Sequence, residues 1–179
     1  DAAAPQAAVL EGFFGADIQN IRDVRLLAAA ARVLSSRMYK TIREERQLVY
    51  SIGAGSRPAF EYPGFGLFAA QAPTDPAKTD ALTAAVEEMY VAFAKDGPTE
   101  DEMAVARKQL VNTVDQTLKN PEFWVARLST LNYRGADLTE LVQGKQHYEQ
   151  MTPADVRSAF TRYFAPTSQL RFVVVPAPR

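Results

Sequence analysis

Ile42-Arg43-Glu44-Glu45-Arg46-Gln47-Leu48-Val49-Tyr50-Ser51 is the densest stretch of functional side chains in this 179-residue chain. It lies where a long helical pattern gives way to a β pattern. Upstream, Val24, Leu27, Ala31, Leu34, Met38 and Ile42 recur at steps of three and four residues, predicting a helix from about Asn20 to Arg46. The alanines from Ala28 to Ala31 add helix propensity and allow close packing. Downstream, Val49, Tyr50 and Ile52 predict a strand over Leu48–Gly55, with Tyr50 on it and half-buried. Arg43 supplies a planar cationic fork suited to a carbonyl or carboxylate. Tyr50 supplies a phenol able to donate to a developing oxyanion. An arginine in a last helical turn usually serves the helix dipole and a tyrosine on a strand is usually half-buried, so the residues alone favour the structural reading of both.

Outward from this stretch, Ala7–Phe14 reads as a first strand after a loose lead-in over residues 1–6. Gly64–Ala72 pairs with Leu48–Gly55 as a hairpin across a loop rich in turn residues. The second half is helical, with clear start signals. Asp75-Pro76, Asn120-Pro121 and Thr152-Pro153 each combine a cap with proline at the first helical position, and Thr99 with Glu102 forms a capping-box pattern. Asp137 and Glu140 open a short helix, and Leu170–Val175 is a last strand. Strands and hairpin interleaved with helices predict an α+β class: an antiparallel or mixed sheet with helices packed on one face, in a single domain over residues 1–179.

Composition excludes several chemistries. The chain has one histidine, His147, and no cysteine. A zinc site built within it would need three or four His, Cys or acidic ligands, so the expectation is no metal and no cofactor in this chain. Thiol catalysis, disulfides and iron–sulfur clusters are excluded. Twenty basic and 21 acidic residues are spread along the chain, so no nucleic-acid footprint forms. No apolar run is long enough to span a membrane. A start at Asp1 without Met suggests a piece of something longer. His147 reads as a surface side chain, and Glu87-Glu88 and Glu100-Asp101-Glu102 as solvated helix faces. Phe123, Trp124, Tyr133 and Tyr148 read as core or interdomain contacts, and the small residues Ser51–Ser56 as an edge able to add a peptide strand.

The Arg43–Ser51 segment resembles the Arg-Glu…Leu-x-Tyr-Ser signature of the insulinase/pitrilysin metallopeptidases. So do Ser35-Ser36-Arg37-Met38-Tyr39, Tyr62-Pro63-Gly64-Phe65-Gly66, Asp96-Gly97-Pro98-Thr99-Glu100-Asp101-Glu102, Asn120-Pro121-Glu122-Phe123-Trp124 and Met151-Thr152-Pro153-Ala154-Asp155-Val156, in that order along nearly the whole chain. The resemblance implies a LuxS/mitochondrial-processing-peptidase-like metallohydrolase fold and the C-terminal, zinc-free domain of a bacterial peptidase. This sequence lacks His-x-x-Glu-His. Zinc is therefore expected in a partner, the N-terminal zinc-binding domain or subunit, and this chain alone is expected to be inactive. Arg43 and Tyr50, seven residues apart, match the family's substrate-binding pair. By resemblance Arg43 holds the peptide backbone, and Tyr50 assists catalysis by hydrogen-bonding the scissile carbonyl. The domain would close a chamber around a peptide substrate, with a periplasmic or envelope location. The alternative is a structural or assembly domain of the same fold with no peptidase role.

Overall fold

The computed structural model describes residues 6–60, 62–131 and 137–177. Most of the lead-in (residues 1–5) and Tyr133 lie outside them. The chain runs through β1 (Ala7–Gly15), α1 (Ile21–Met38), a π-helical turn (Tyr39–Glu45), β2 (Gly53–Arg57) and β3 (Gly66–Thr74). A 3₁₀ turn (Pro76–Lys78) leads into α2 (Thr79–Asp96), then α3 (Glu100–Lys119), α4 (Pro121–Ser129), α5 (Leu138–Val142), α6 (Gly144–Glu149), α7 (Pro153–Tyr163) and β4 (Gln169–Val174). The strands form one sheet in the order β2-β3-β1-β4, and every ladder in it is antiparallel. The α+β class holds.

Alternation along the strands decides which face is covered. Val9 and Phe13 of β1 lie opposite Ala72 and Phe68 of β3, and all four are buried. Phe13 and Phe68 stack at 4.9 Å, and Phe160 of α7 and Tyr90 of α2 meet Phe13 edge-on. Such aromatic pairs add about 0.5–1.5 kcal/mol each beyond the area they bury. The alanine run of α1 is buried from Ala29 to Ala31, so that helix packs close against this core. The opposite face carries Phe14, Phe172 and Val174, all exposed. At Gly12 a Cβ would fall 2.0 Å from the Phe68 carbonyl oxygen, so only glycine fits there.

Helix starts follow the sequence closely. Thr99 and Glu102 form a capping box, as do Thr152 and Asp155. Asn120 accepts from the Glu122 N–H, and Asp75 accepts from the Ala77 N–H. Gly97, at φ 72°, ends α2 in a conformation that disfavours a side chain.

Two expectations need correction. The helix from Asn20 is α only to Met38; its last seven residues widen into a π turn, where the Arg46 N–H donates to the Thr41 carbonyl five residues back. Its apolar spacing cannot distinguish the two, because Met38 and Ile42 are buried either way. The strand expected over Leu48–Gly55 begins only at Gly53, and its partner spans Gly66–Thr74 rather than Gly64–Ala72. Separately, α4 buries no residue: Val125 and Leu128 are exposed, and Phe123 and Trp124 are half-buried.

Candidate functional site

The site grows from the junction between the π turn and β2. Gln47 is the one described non-glycine residue in the left-handed region, at φ 51°. Its conformation reverses the chain after the π turn. Polar contacts anchor the bend: the Arg46 guanidinium donates to Glu88 of α2 at 2.8 Å, the Lys78 ammonium to the Gln47 carbonyl at 3.0 Å, and the Thr74 hydroxyl to the Leu48 carbonyl at 2.8 Å.

Register then decides where Tyr50 goes. The β2–β3 ladder sets Gly53 opposite Gln71, and continuing it would set Tyr50 opposite Thr74. Val49 holds that place instead, through an isolated bridge. One extra residue is therefore accommodated between the bridge and the ladder, as in a β-bulge. Such a slip exchanges the faces of neighbouring side chains. Val49 is buried and Tyr50 is 84% exposed. The expectation of a half-buried Tyr50 on a strand is corrected on both counts.

Arg43 and Tyr50 are brought together. The Arg43 guanidinium carbon lies 5.4 Å from the Tyr50 ring centre and 4.4 Å from that of Tyr39. Arg43 is half-buried, and among the described residues its side chain has no ion pair or hydrogen bond. Cation–π contacts engage the face of a guanidinium and leave its in-plane N–H donors available. The pair can thus offer a bidentate donor for a carbonyl or carboxylate beside an exposed phenol. Sequence reading gave Tyr39 no role, although its spacing of four from Arg43 on one helical face was a usable signal.

The β2 edge flanks this group. Its Ala54 N–H donates to the Ser35 hydroxyl at 2.9 Å, and that hydroxyl donates to the Ala54 carbonyl at 3.0 Å. The edge expected to be open over Ser51–Ser56 is thus closed at its middle by a side chain of α1. On the uncovered sheet face, Leu10, Gly53, Gly55, Arg57, Ala69 and Gln71 line a recess of about 230 Å³.

Other candidates resolve into structural contacts. Glu102 is not simply solvated: its carboxylate takes two 2.7 Å bonds from Arg37, which hold it below the usual glutamate range. Glu100 pairs with Arg107, Glu88 with Arg46 and Glu87 with Arg171, so each faces its own arginine. His147 is half-buried rather than on the open surface. Its Nε2 is enclosed without a hydrogen bond, 3.6 Å from a Glu140 carboxylate oxygen, beside a 380 Å³ cavity that also touches Arg22, Arg25 and Asp155. Trp124 donates to the Leu118 carbonyl and packs edge-on to Phe123. Sequence reading missed Glu11, a carboxylate on the covered face of β1. Burial pushes its pKa up, although Arg171 pairs with it at 2.8 Å. No described helix is long and apolar enough to cross a membrane.

The family described as peptidase M16 inactive domain matches residues 1–110. No curated protein matches the chain by sequence. Among solved structures, the peptidase M16 inactive domain from Pseudomonas fluorescens is 18% identical with a TM-score of 0.83, covering 98% of this chain and 42% of that one. The periplasmic protease PqqL from Escherichia coli is 19% identical with a TM-score of 0.77, covering 97% and 19%. A chain of complex III2 from Candida albicans is 16% identical with a TM-score of 0.77, covering 97% and 44%. This chain therefore spans less than half the length of each. At these identities the likeness establishes the fold.

Proposed function

The chain belongs to the peptidase M16 inactive-domain family, and from that premise we propose that it is the peptide-holding, zinc-free half of a zinc metallopeptidase. One observation carries this reading. Arg43, a permanent cation with no carboxylate partner among the described residues, is held against the exposed Tyr50. A structural arginine normally pairs its fork, because an unpaired, partly buried charge is costly. An arginine that keeps its donors open is suited to a ligand. In this reading the Arg43 fork donates to carbonyls of the peptide backbone, and the Tyr50 hydroxyl donates to the scissile carbonyl as negative charge builds on its oxygen. Zinc, the general base and the attacking water belong to the N-terminal zinc-binding domain or subunit. The two halves close a chamber around the peptide, with the uncovered sheet face as part of its wall. A periplasmic or envelope location suits a chain without cysteine and the naming of one similar structure as a periplasmic protease.

The test is complementation. Alone, the chain is expected to take up no stoichiometric zinc and to cleave no peptide; added to its zinc-bearing partner, it is expected to restore cleavage. Zinc uptake or cleavage by the chain alone would contradict the assignment. The likeness to a chain of complex III2, an assembly whose name carries no peptidase, favours a second reading as an assembly domain. That reading predicts stable association with a partner and no effect of Arg43 or Tyr50 on any cleavage.

A further inference from the structure

We infer that Tyr39 is a positioning residue for Arg43, holding the guanidinium edge toward the peptide by stacking under its face. The inference rests on the peptide-holding role proposed for Arg43. Tyr39 opens the π turn, and Arg43 follows four residues later on the same face. Of the two rings near the guanidinium, that of Tyr39 is closer, at 4.4 Å against 5.4 Å. Tyr39 is also the better anchored. Its backbone is within the helical ladder, where its N–H donates to the Ser35 and Ser36 carbonyls. Tyr50 lies on the irregular segment between the π turn and β2 and is almost fully exposed.

The geometry assigns the two tyrosines different tasks. An arginine side chain that no carboxylate fixes samples many rotamers, and ordering it on binding costs free energy. A ring beneath the guanidinium reduces that cost while leaving every N–H open, which a salt bridge would not do. Only the ring face of Tyr39 is needed for this. The phenol of Tyr50 is the one exposed beside the guanidinium and free to meet a ligand. The π turn is part of the device, because it carries Tyr39 and Arg43 on one continuous helical segment immediately before the chain reverses at Gln47.

The experiment compares Tyr39→Phe, Tyr39→Leu and Arg43→Ala in the complex with the zinc-bearing partner, reading kcat and KM for an unstructured peptide. A second readout is the Arg43 Nε–H resonance, which a stacked ring shifts upfield. Tyr39→Phe should match the native protein in both. Tyr39→Leu should raise KM about 2- to 5-fold with kcat little changed, the scale of one exposed cation–π contact, and should move the Arg43 resonance toward its random-coil position. Arg43→Ala should raise KM further. Native KM and an unmoved resonance in Tyr39→Leu, with Arg43→Ala impaired, would overturn the role of Tyr39 and leave the proposed function standing. Native kinetics in Arg43→Ala would overturn the proposed role of Arg43 and this inference with it. Impairment in Tyr39→Phe would overturn the ring-face argument by showing that the hydroxyl matters.

Discussion

Arg37 and Arg43 stand six residues apart on one continuous helical segment, and the structure treats them in opposite ways. Arg37 is engaged through Nε and Nη2, with two bonds to the Glu102 carboxylate and one to the Gly97 carbonyl at 2.9 Å, and its guanidinium lies 5.2 Å from the Phe93 ring centre. It fastens α1 to the α2–α3 junction, and Glu102 at the same time completes the capping box of α3. Arg43 has aromatic rings and nothing else among the described residues. An arginine that holds the fold has its donors occupied, whereas one kept for a ligand leaves its donors open. Both belong to stretches that resemble the insulinase/pitrilysin pattern, so that resemblance alone does not separate them; in the proposed reading the difference in their partners does.

The largest effect expected from this contrast is on stability. Arg37→Ala should lower the unfolding free energy by about 2 kcal/mol, since it strands the Glu102 carboxylate and the Gly97 carbonyl. Arg43→Ala should change it by less than about 1 kcal/mol, the size of exposed cation–π contacts. Urea unfolding of both variants reads the difference, and equal losses would break the comparison.

Glu102→Gln sharpens it. Glutamine can still close the capping box but cannot pair a charge with Arg37, so the cost should be about 1 kcal/mol at neutral pH. The Arg37 bonds hold the folded-state pKa of Glu102 below its ordinary value of 4.5. A depressed carboxylate gives stability that is full above the unfolded-state value and is lost as pH falls through the folded one. The gap between native protein and variant should therefore start to close near pH 4.5 and vanish in stronger acid. A gap independent of pH would mean that the charge pair contributes nothing.

What the sequence revealed follows the range of the interactions. The caps at Thr99, Asn120 and Thr152 are contacts within three residues and were read correctly. The exposure of Tyr50 was misread because it depends on a single extra residue relative to β3, more than twenty positions away. The cluster of Val49, Tyr50 and Ile52 looks like a strand at short range, and nothing local marks the slip. Glu11 shows a similar limit. Its place between Val9 and Phe13 set it on the core side, but Arg171, which makes that burial tolerable, lies 160 residues away. The closure of the β2 edge by Ser35 is another such contact, nineteen residues long. Arg43 and Tyr50 were found by resemblance; their approach to one another, and that of Tyr39 to Arg43, required the structure.

Steady-state hydrolysis of an unstructured peptide by this chain joined to its proposed zinc-bearing partner tests the central claim most directly. Tyr50→Phe should lower kcat about 100-fold with KM near native, the scale of losing one donor to a developing oxyanion, while Arg43→Ala should act mainly through KM. Native turnover in Tyr50→Phe together with native KM in Arg43→Ala would contradict the account.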